Sequence, residues 1–245
     1  AKKPAMSIMN MPPLTYLARI PGLDVAALRN CYLAPEVWDS LDPELMTLCS
    51  PDPQAFRPPE EDVNVLQVRL PTNFKSAAFA RASDTLILEE LQKSIEEARF
   101  ALPDGSEIEL PVKLKVHPSV FVPLAKWAML LAGNYRCVQA DEMRPIKDAV
   151  HSDLVATREV YTWVVDLCIA LGGNGADFVP FEKYADAAMS LGSPSSAARA
   201  LAAGAKNIER VDKLVQQIGL SLGRKNANID ATVALVDQWL AKNRA

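Results

Sequence analysis

The chain is 245 residues long, 49% apolar and 23% charged, with 26 basic against 30 acidic side chains. That balance excludes a disordered tail and a disulfide-stapled miniature. A net charge of −4 without a basic block argues against nucleic acid as a partner, because such binding draws on phosphate neutralisation.

Cys31, Cys49, Cys137 and Cys168 are far apart and form no CxxC, which points to free thiols in a reducing, cytoplasmic setting. The nearly apolar run Val120–Gly133 is shorter than the roughly 20 residues of a membrane span, and Lys126 interrupts it, so no membrane partner is expected. The chain opens on Ala1-Lys2-Lys3-Pro4 and enters a strand-like run at once, which leads us to expect a fragment of a longer protein.

Up to about residue 115 the chain is punctuated by 13 of its 18 prolines, which disfavours long helices there. Strands are expected at 5–9, at Leu45–Cys49 and at Val63–Leu70, with a short helix from Pro12 to Leu17. Residues 84–99 have the spacing of an amphipathic helix, with Asp84 as N-cap and Leu88, Leu91 and Ile95 on one face. Asp104-Gly105 then joins the extended arms Phe100–Leu102 and Glu107–Val116.

From Pro118 onward the texture turns to Ala/Leu/Val-rich helical periods. Helices are expected at 119–133, 146–171, 181–190, 194–203, 207–223 and 229–243, with Gly172-Gly173 closing the second.

Lys126 is the one charge in its apolar stretch. Either it points into a cleft, where desolvation lowers an ammonium's pKa toward the proton-transfer range, or it snorkels to water along its own stem. Asn134 follows two turns later and can share that face or end the helix. Ser195 and Ser196 stand at a helix start, as caps or as donors to an anionic ligand. Asn207-Ile208-Glu209 is expected to open the next helix. His117 and His151 lack an HExxH context, so no metal is expected.

Gly172-Gly173-Asn174-Gly175 follows a helix rather than a strand, so it is read as a helix end and not as a phosphate cradle.

Together these segments resemble the later part of the ketopantoate reductase (2-dehydropantoate 2-reductase) family. Pro194-Ser195-Ser196, Gly204, Glu209, Leu235 and Trp239 follow that family's C-terminal pattern. Lys126 and Asn134 match its lysine and second asparagine, with Leu130 in place of the first. Ser7-Ile8-Met9-Asn10 resembles its strand ending in Gln-Asn-Gly, although Met9 and Met11 flank Asn10 here. Ala200 replaces an aspartate of the pattern.

The resemblance implies an α+β chain. An incomplete mixed α/β part over residues 1–117 would be the remainder of a cofactor-binding domain. An all-α part over 118–245, resembling the 6-phosphogluconate dehydrogenase C-terminal-like fold, would bind substrate and dimerise. The implied activity is NADP-dependent reduction of a small 2-keto acid, with Lys126 donating the proton. Asn134, Ser195, Ser196 and Glu209 would hold substrate, and Asn10 would sit beside the cofactor. The glycine fingerprint for NADP is absent from these residues. The alternative expectation is a non-catalytic helical module that dimerises or binds a partner.

Overall fold

The computed structural model describes residues 3–50, 55–56, 60–62, 65, 67–68 and 72–245. Ala5–Ile8 (β1) leads into a short helix, Leu14–Leu17 (α1), whose start Pro13 marks. Three 3-10 turns follow before Met46–Ser50 (β2), every residue of which is buried. Most of the strand expected over 63–70 lies outside the described residues. Within it, Gln67–Val68 (β4) pairs antiparallel with Ala55–Phe56 (β3).

Thr72–Ala77 (β5) precedes the helix Ala82–Glu97 (α2). Arg81 rather than Asp84 occupies the N-cap position, and Asp84 sits in the first turn, paired to Arg81 at 2.8 Å. Burial also departs from the expected face: Leu88 is buried and Ile95 half-buried, but Leu91 is 45% exposed. Gln92 takes the next place on the packed side, accepting from the Val116 amide at 2.9 Å. Arg99–Ala101 (β6) and Glu107–Glu109 (β7) form a small antiparallel hairpin, its turn closed by Gly105 at φ +82°. The second arm does not run on unbroken; it restarts as Val112–His117 (β8) in the main sheet.

That sheet has the order β1-β2-β5-β8. β1 and β2 are parallel, β2 and β5 antiparallel, and β5 and β8 parallel. The carboxyl ends of β1 and β2 therefore lie at the same side, and Asn10 and Met11 follow directly from β1.

The expected helix at 119–133 is instead a composite rod. A 3-10 turn at Pro123–Ala125 runs into an α turn at Lys126–Met129 (α3), a π turn at Leu130–Asn134 and a 3-10 turn at Tyr135–Cys137. The next expected helix is two, Ile146–His151 (α4) and Leu154–Ala170 (α5). Asp153 breaks them apart because its carboxylate accepts from the Ala156 amide and caps the second. Gly172 at φ +105° ends α5 as expected, its left-handed backbone letting the Gly173 amide turn back to Cys168 O at 2.9 Å. Phe181–Ala188 (α6), Ser196–Ala202 (α7), Val211–Ser221 (α8) and Ala227–Arg244 (α9) complete the chain.

One apolar core joins the segment after β1 to these helices. Leu14, Tyr16 and Leu17 pack into the same cluster as Leu124, Trp127, Val211 and Leu214. Trp127 is 1% exposed and donates from Nε1 to Asn10 O at 3.3 Å, so one side chain fills the core and fixes the strand's exit. Truncating an aromatic so placed costs about 3–5 kcal/mol. All four cysteines are free and buried. Among the described residues no helix is long and apolar enough to cross a membrane.

Candidate functional site

A cleft of about 280 Å³ opens where three segments meet: the exit of β1, the π turn, and the stretch between α7 and α8. Asn10 comes from the first, Leu130, Asn134 and Tyr135 from the second, and Asn207, Ile208 and Glu209 from the third. Ser196, Ala197 and Ala200 of α7 close the remaining side. Four of the six expected site residues thus line one cavity, although they are spread over 200 positions of sequence.

The π turn has a visible cause. The Tyr135 amide reaches back to Leu130 O, and the Tyr184 hydroxyl donates to Met129 O at 3.1 Å where the ladder changes step. Gly133 permits this approach, since a Cβ there would fall on the Tyr184 hydroxyl and 3.0 Å from Val150 Cγ2. In an uninterrupted α-helix, eight residues carry Asn134 about 80° past Lys126. The wider turn reduces that offset. Asn134 is half-buried, and its side-chain amide makes no hydrogen bond among the described residues.

Ser195 and Ser196 have separate roles. Ser195 is 2% exposed; its hydroxyl donates to Asn134 O at 2.7 Å and accepts from the Ala198 amide at 3.2 Å. It caps α7 and ties it to the π turn, and it does not line the cleft. Ser196 is exposed and lines it.

Glu209 does not open a helix. The helix begins two residues later at Val211, and 207–210 is a crossing without regular secondary structure. The buried Tyr135 hydroxyl explains this: it donates to Glu209 O at 2.5 Å and accepts from the Val211 amide at 3.1 Å, holding the crossing outside helical geometry. Burial keeps that phenol well above its ordinary pKa, so it remains a donor. The exposed Glu209 carboxylate accepts from Asn10 Nδ2 at 3.3 Å and from the Met11 amide at 3.4 Å.

Arg210 turns to the other side of the crossing. Its guanidinium forks onto Asp212 at 2.9 and 3.0 Å and reaches Asp237 at 2.5 Å. Desolvation works to lower its pKa, but the hydrogen bonds and charges of the two aspartates outweigh that and raise it. The sequence pattern did not single out Tyr135, Arg210 or Asp212; an aspartate in a helix's first turn is what the dipole favours, and nothing local announces that it holds Arg210.

Lys126 stands apart from the rest. It is half-buried, one turn before Leu130, and is not among the residues lining the cleft. Its positive charge is felt at the buried Cys49, whose thiol burial pushes up to about 11 against that charge.

Among the described residues no three His, Cys, Asp or Glu side chains gather as a metal site. Gly172-Gly173-Asn174-Gly175 forms a helix end and an Asn174–Asp177 capping box, not a turn between strand and helix. The described residues therefore include no pyrophosphate cradle, and what is present does not by itself fit NADP.

No family model matches the sequence, and no curated protein does. Among solved structures, the chain is similar to a PanE/ApbA family ketopantoate reductase from Ralstonia eutropha. The two are 14% identical with a TM-score of 0.63, and the match covers 98% of this chain and 67% of that one. At that identity the likeness is one of fold, a small mixed sheet followed by a mostly helical part.

Proposed function

We propose that this chain is the substrate-binding part of an NADP-dependent oxidoreductase resembling ketopantoate reductase. The observation that carries the reading is the convergence of Asn10, Asn134, Ser196 and Glu209 on one cleft. Residues 118–245 are the substrate side, of the 6-phosphogluconate dehydrogenase C-terminal-like kind, and 1–117 are the remainder of a cofactor-binding part. Small-molecule carbonyl reduction suits a cavity of about 280 Å³ lined by amides, a hydroxyl and one carboxylate. The resemblance makes that molecule a 2-keto acid and the assembly a homodimer.

In this reading NADPH, when bound, would supply hydride; the described residues include no cradle for it. The chain's own contribution is polar and positional. Asn134 and Ser196 orient the carbonyl compound, and Glu209 accepts from a hydroxyl on it. Lys126 gives its proton to the oxygen that gains charge, an interaction worth most in the transition state. A non-catalytic partner-binding module is the second reading, and the position of Lys126 outside the lining favours it.

NADPH oxidation by the intact gene product against a panel of small carbonyl compounds tests the proposal. Turnover should appear with at least one of them, and Lys126→Ala should lower kcat at least a hundredfold while changing NADPH affinity less than threefold. Absence of turnover with every compound, or near-normal turnover in the variant, would overturn it.

A further inference from the structure

The acidity of the chain is local. Residues 82–115 carry eight acidic and four basic side chains, a charge of −4, so the acids and bases of the remainder balance. Four of those acids have cationic partners: Asp84 meets Arg81, Glu97 meets Lys93, Glu109 meets Lys113 and Glu96 meets Lys115. Glu89, Glu90 and Glu107 are exposed and pair with no cation among the described residues.

Apolar surface gathers on the same elements. Leu86, Ile87 and Leu91 of α2 and Phe100 and Ile108 of the β6–β7 hairpin are five of the fifteen large apolar side chains exposed among the described residues. The side of α2 that meets β8 carries Leu88, Gln92 and Glu96, with Gln92 on the Val116 amide and Glu96 on Lys115. Ile87 and Leu91 stand one turn apart on the flank turned away from it, and Glu90 neighbours Ile87. A ridge with that spacing is what the grooves of a second helix fit.

The hairpin has the same need of a cover. All three residues of each strand are exposed, and Phe100 stands directly across from Ile108. Two strands on their own are marginal in water, and an aromatic–aliphatic pair gains most when it is shielded. Phe100 is nine positions past Leu91, six of them within α2, so the two lie within about 20 Å, the length of a 14-residue helix. Like charge disfavours a second copy of this face as the cover, and the acidity repels nucleic acid and anionic membranes.

We propose that α2 and the β6–β7 hairpin form a docking surface for a basic amphipathic helix of a partner protein, whose apolar stripe covers Ile87, Leu91 and Phe100 while its lysines or arginines meet Glu89, Glu90 and Glu107. Burial of the apolar ridge supplies affinity, and the unpaired carboxylates supply the choice of partner and its steering. None of these residues lines the cleft, so the surface is independent of the substrate reading.

The probe is a 14-residue, end-capped peptide of leucine and lysine in amphipathic helical order, titrated into the ¹⁵N-labelled chain. The Ile87, Leu91 and Phe100 amides should shift saturably. A shuffled peptide of the same composition, and one with glutamate for lysine, should each bind at least tenfold more weakly. Leu91→Ser should weaken the basic peptide about tenfold, and the Glu89→Gln/Glu90→Gln pair about fivefold. Val155→Ser, at an exposed apolar position on α5, should change affinity less than twofold. These exposed substitutions should leave Tm within about 1 °C, so a lost interaction is not lost folding. No saturable shift on α2, equal binding of the shuffled or acidic peptide, or unaltered affinity in Leu91→Ser would overturn the proposal. Sedimentation showing a dimer that Leu91→Ser dissolves, without peptide binding, would overturn it too and give the face to a second copy.

Discussion

The Ser195 hydroxyl bridges two elements, donating to Asn134 O at 2.7 Å while accepting from the Ala198 amide at 3.2 Å. Removing it takes a donor from a half-buried carbonyl and the cap from a buried helix amide. Ser195→Ala should therefore cost about 1–3 kcal/mol and lower Tm by about 2–8 °C. Ser196→Ala, at the exposed neighbour, should leave Tm within about 1 °C. Calorimetry of both variants distinguishes a structural serine from a cleft serine, and equal losses would refute the division.

Much of the fold was legible in the sequence, because β1, all but the last residue of β2 and most of helices α5 to α9 are written in periodicity and in capping residues such as Ser195 and Gly172. The composite rod was not. Nothing in VFVPLAKWAMLLAG announces a π turn, since its cause is Tyr184, more than 50 positions away. Glu209 was misplaced for the same kind of reason: the dipole rule favours an acid in a first turn, but the Tyr135 hydroxyl captures the crossing first. Leu91 shows a different limit, in that helical spacing identifies a stripe without saying which edge of it the sheet covers. The grouping of Asn10 with Glu209 is long-range, and the family resemblance rather than any local pattern pointed to both.

Gly133 and Tyr184 should behave as a coupled pair. Gly133→Ala should destabilise by about 1–3 kcal/mol, because the new methyl falls on a buried hydroxyl. In a Tyr184→Phe background the same change should cost measurably less. Denaturant melts of the four proteins in the cycle give the coupling, and strict additivity would show that the two positions do not meet.

The two carboxylates on Arg210 are unequal. Asp212 is fully buried and Asp237 half exposed. Asp212→Asn should cost about 3–5 kcal/mol by leaving the guanidinium poorly paired in the interior, and Asp237→Asn about 1 kcal/mol or less. Chemical denaturation ranks them, and the reverse order would contradict the geometry.

His117 sets an acid-side limit. Burial, helped by the positive charges of Lys75 and Lys115 and opposed by Asp177, lowers its pKa below the ordinary 6.5, and its Nε2 has no hydrogen-bond partner among the described residues. A histidine with a depressed native pKa stabilises the fold in its neutral form. That contribution is present above 6.5 and is lost as the pH falls through the native value. Tm should decline on acidification across that window, and His117→Gln should flatten the decline. An unchanged profile in the variant would assign the loss to other groups.

A π turn is one residue more than an α-helix needs over the same span. Deleting a single residue from 130–133 would let the rod coil regularly, easing its local hydrogen bonding. The faces before and after the deletion would keep their bearings, because the wide turn already absorbs the extra residue. What would go is the local widening at which the Tyr184 hydroxyl meets Met129 O and the close approach that Gly133 permits. The surplus residue is thus a detour confined to one turn, and a chain shortened there would gain a straighter rod while Tyr135 could still reach the Glu209 carbonyl and the Val211 amide.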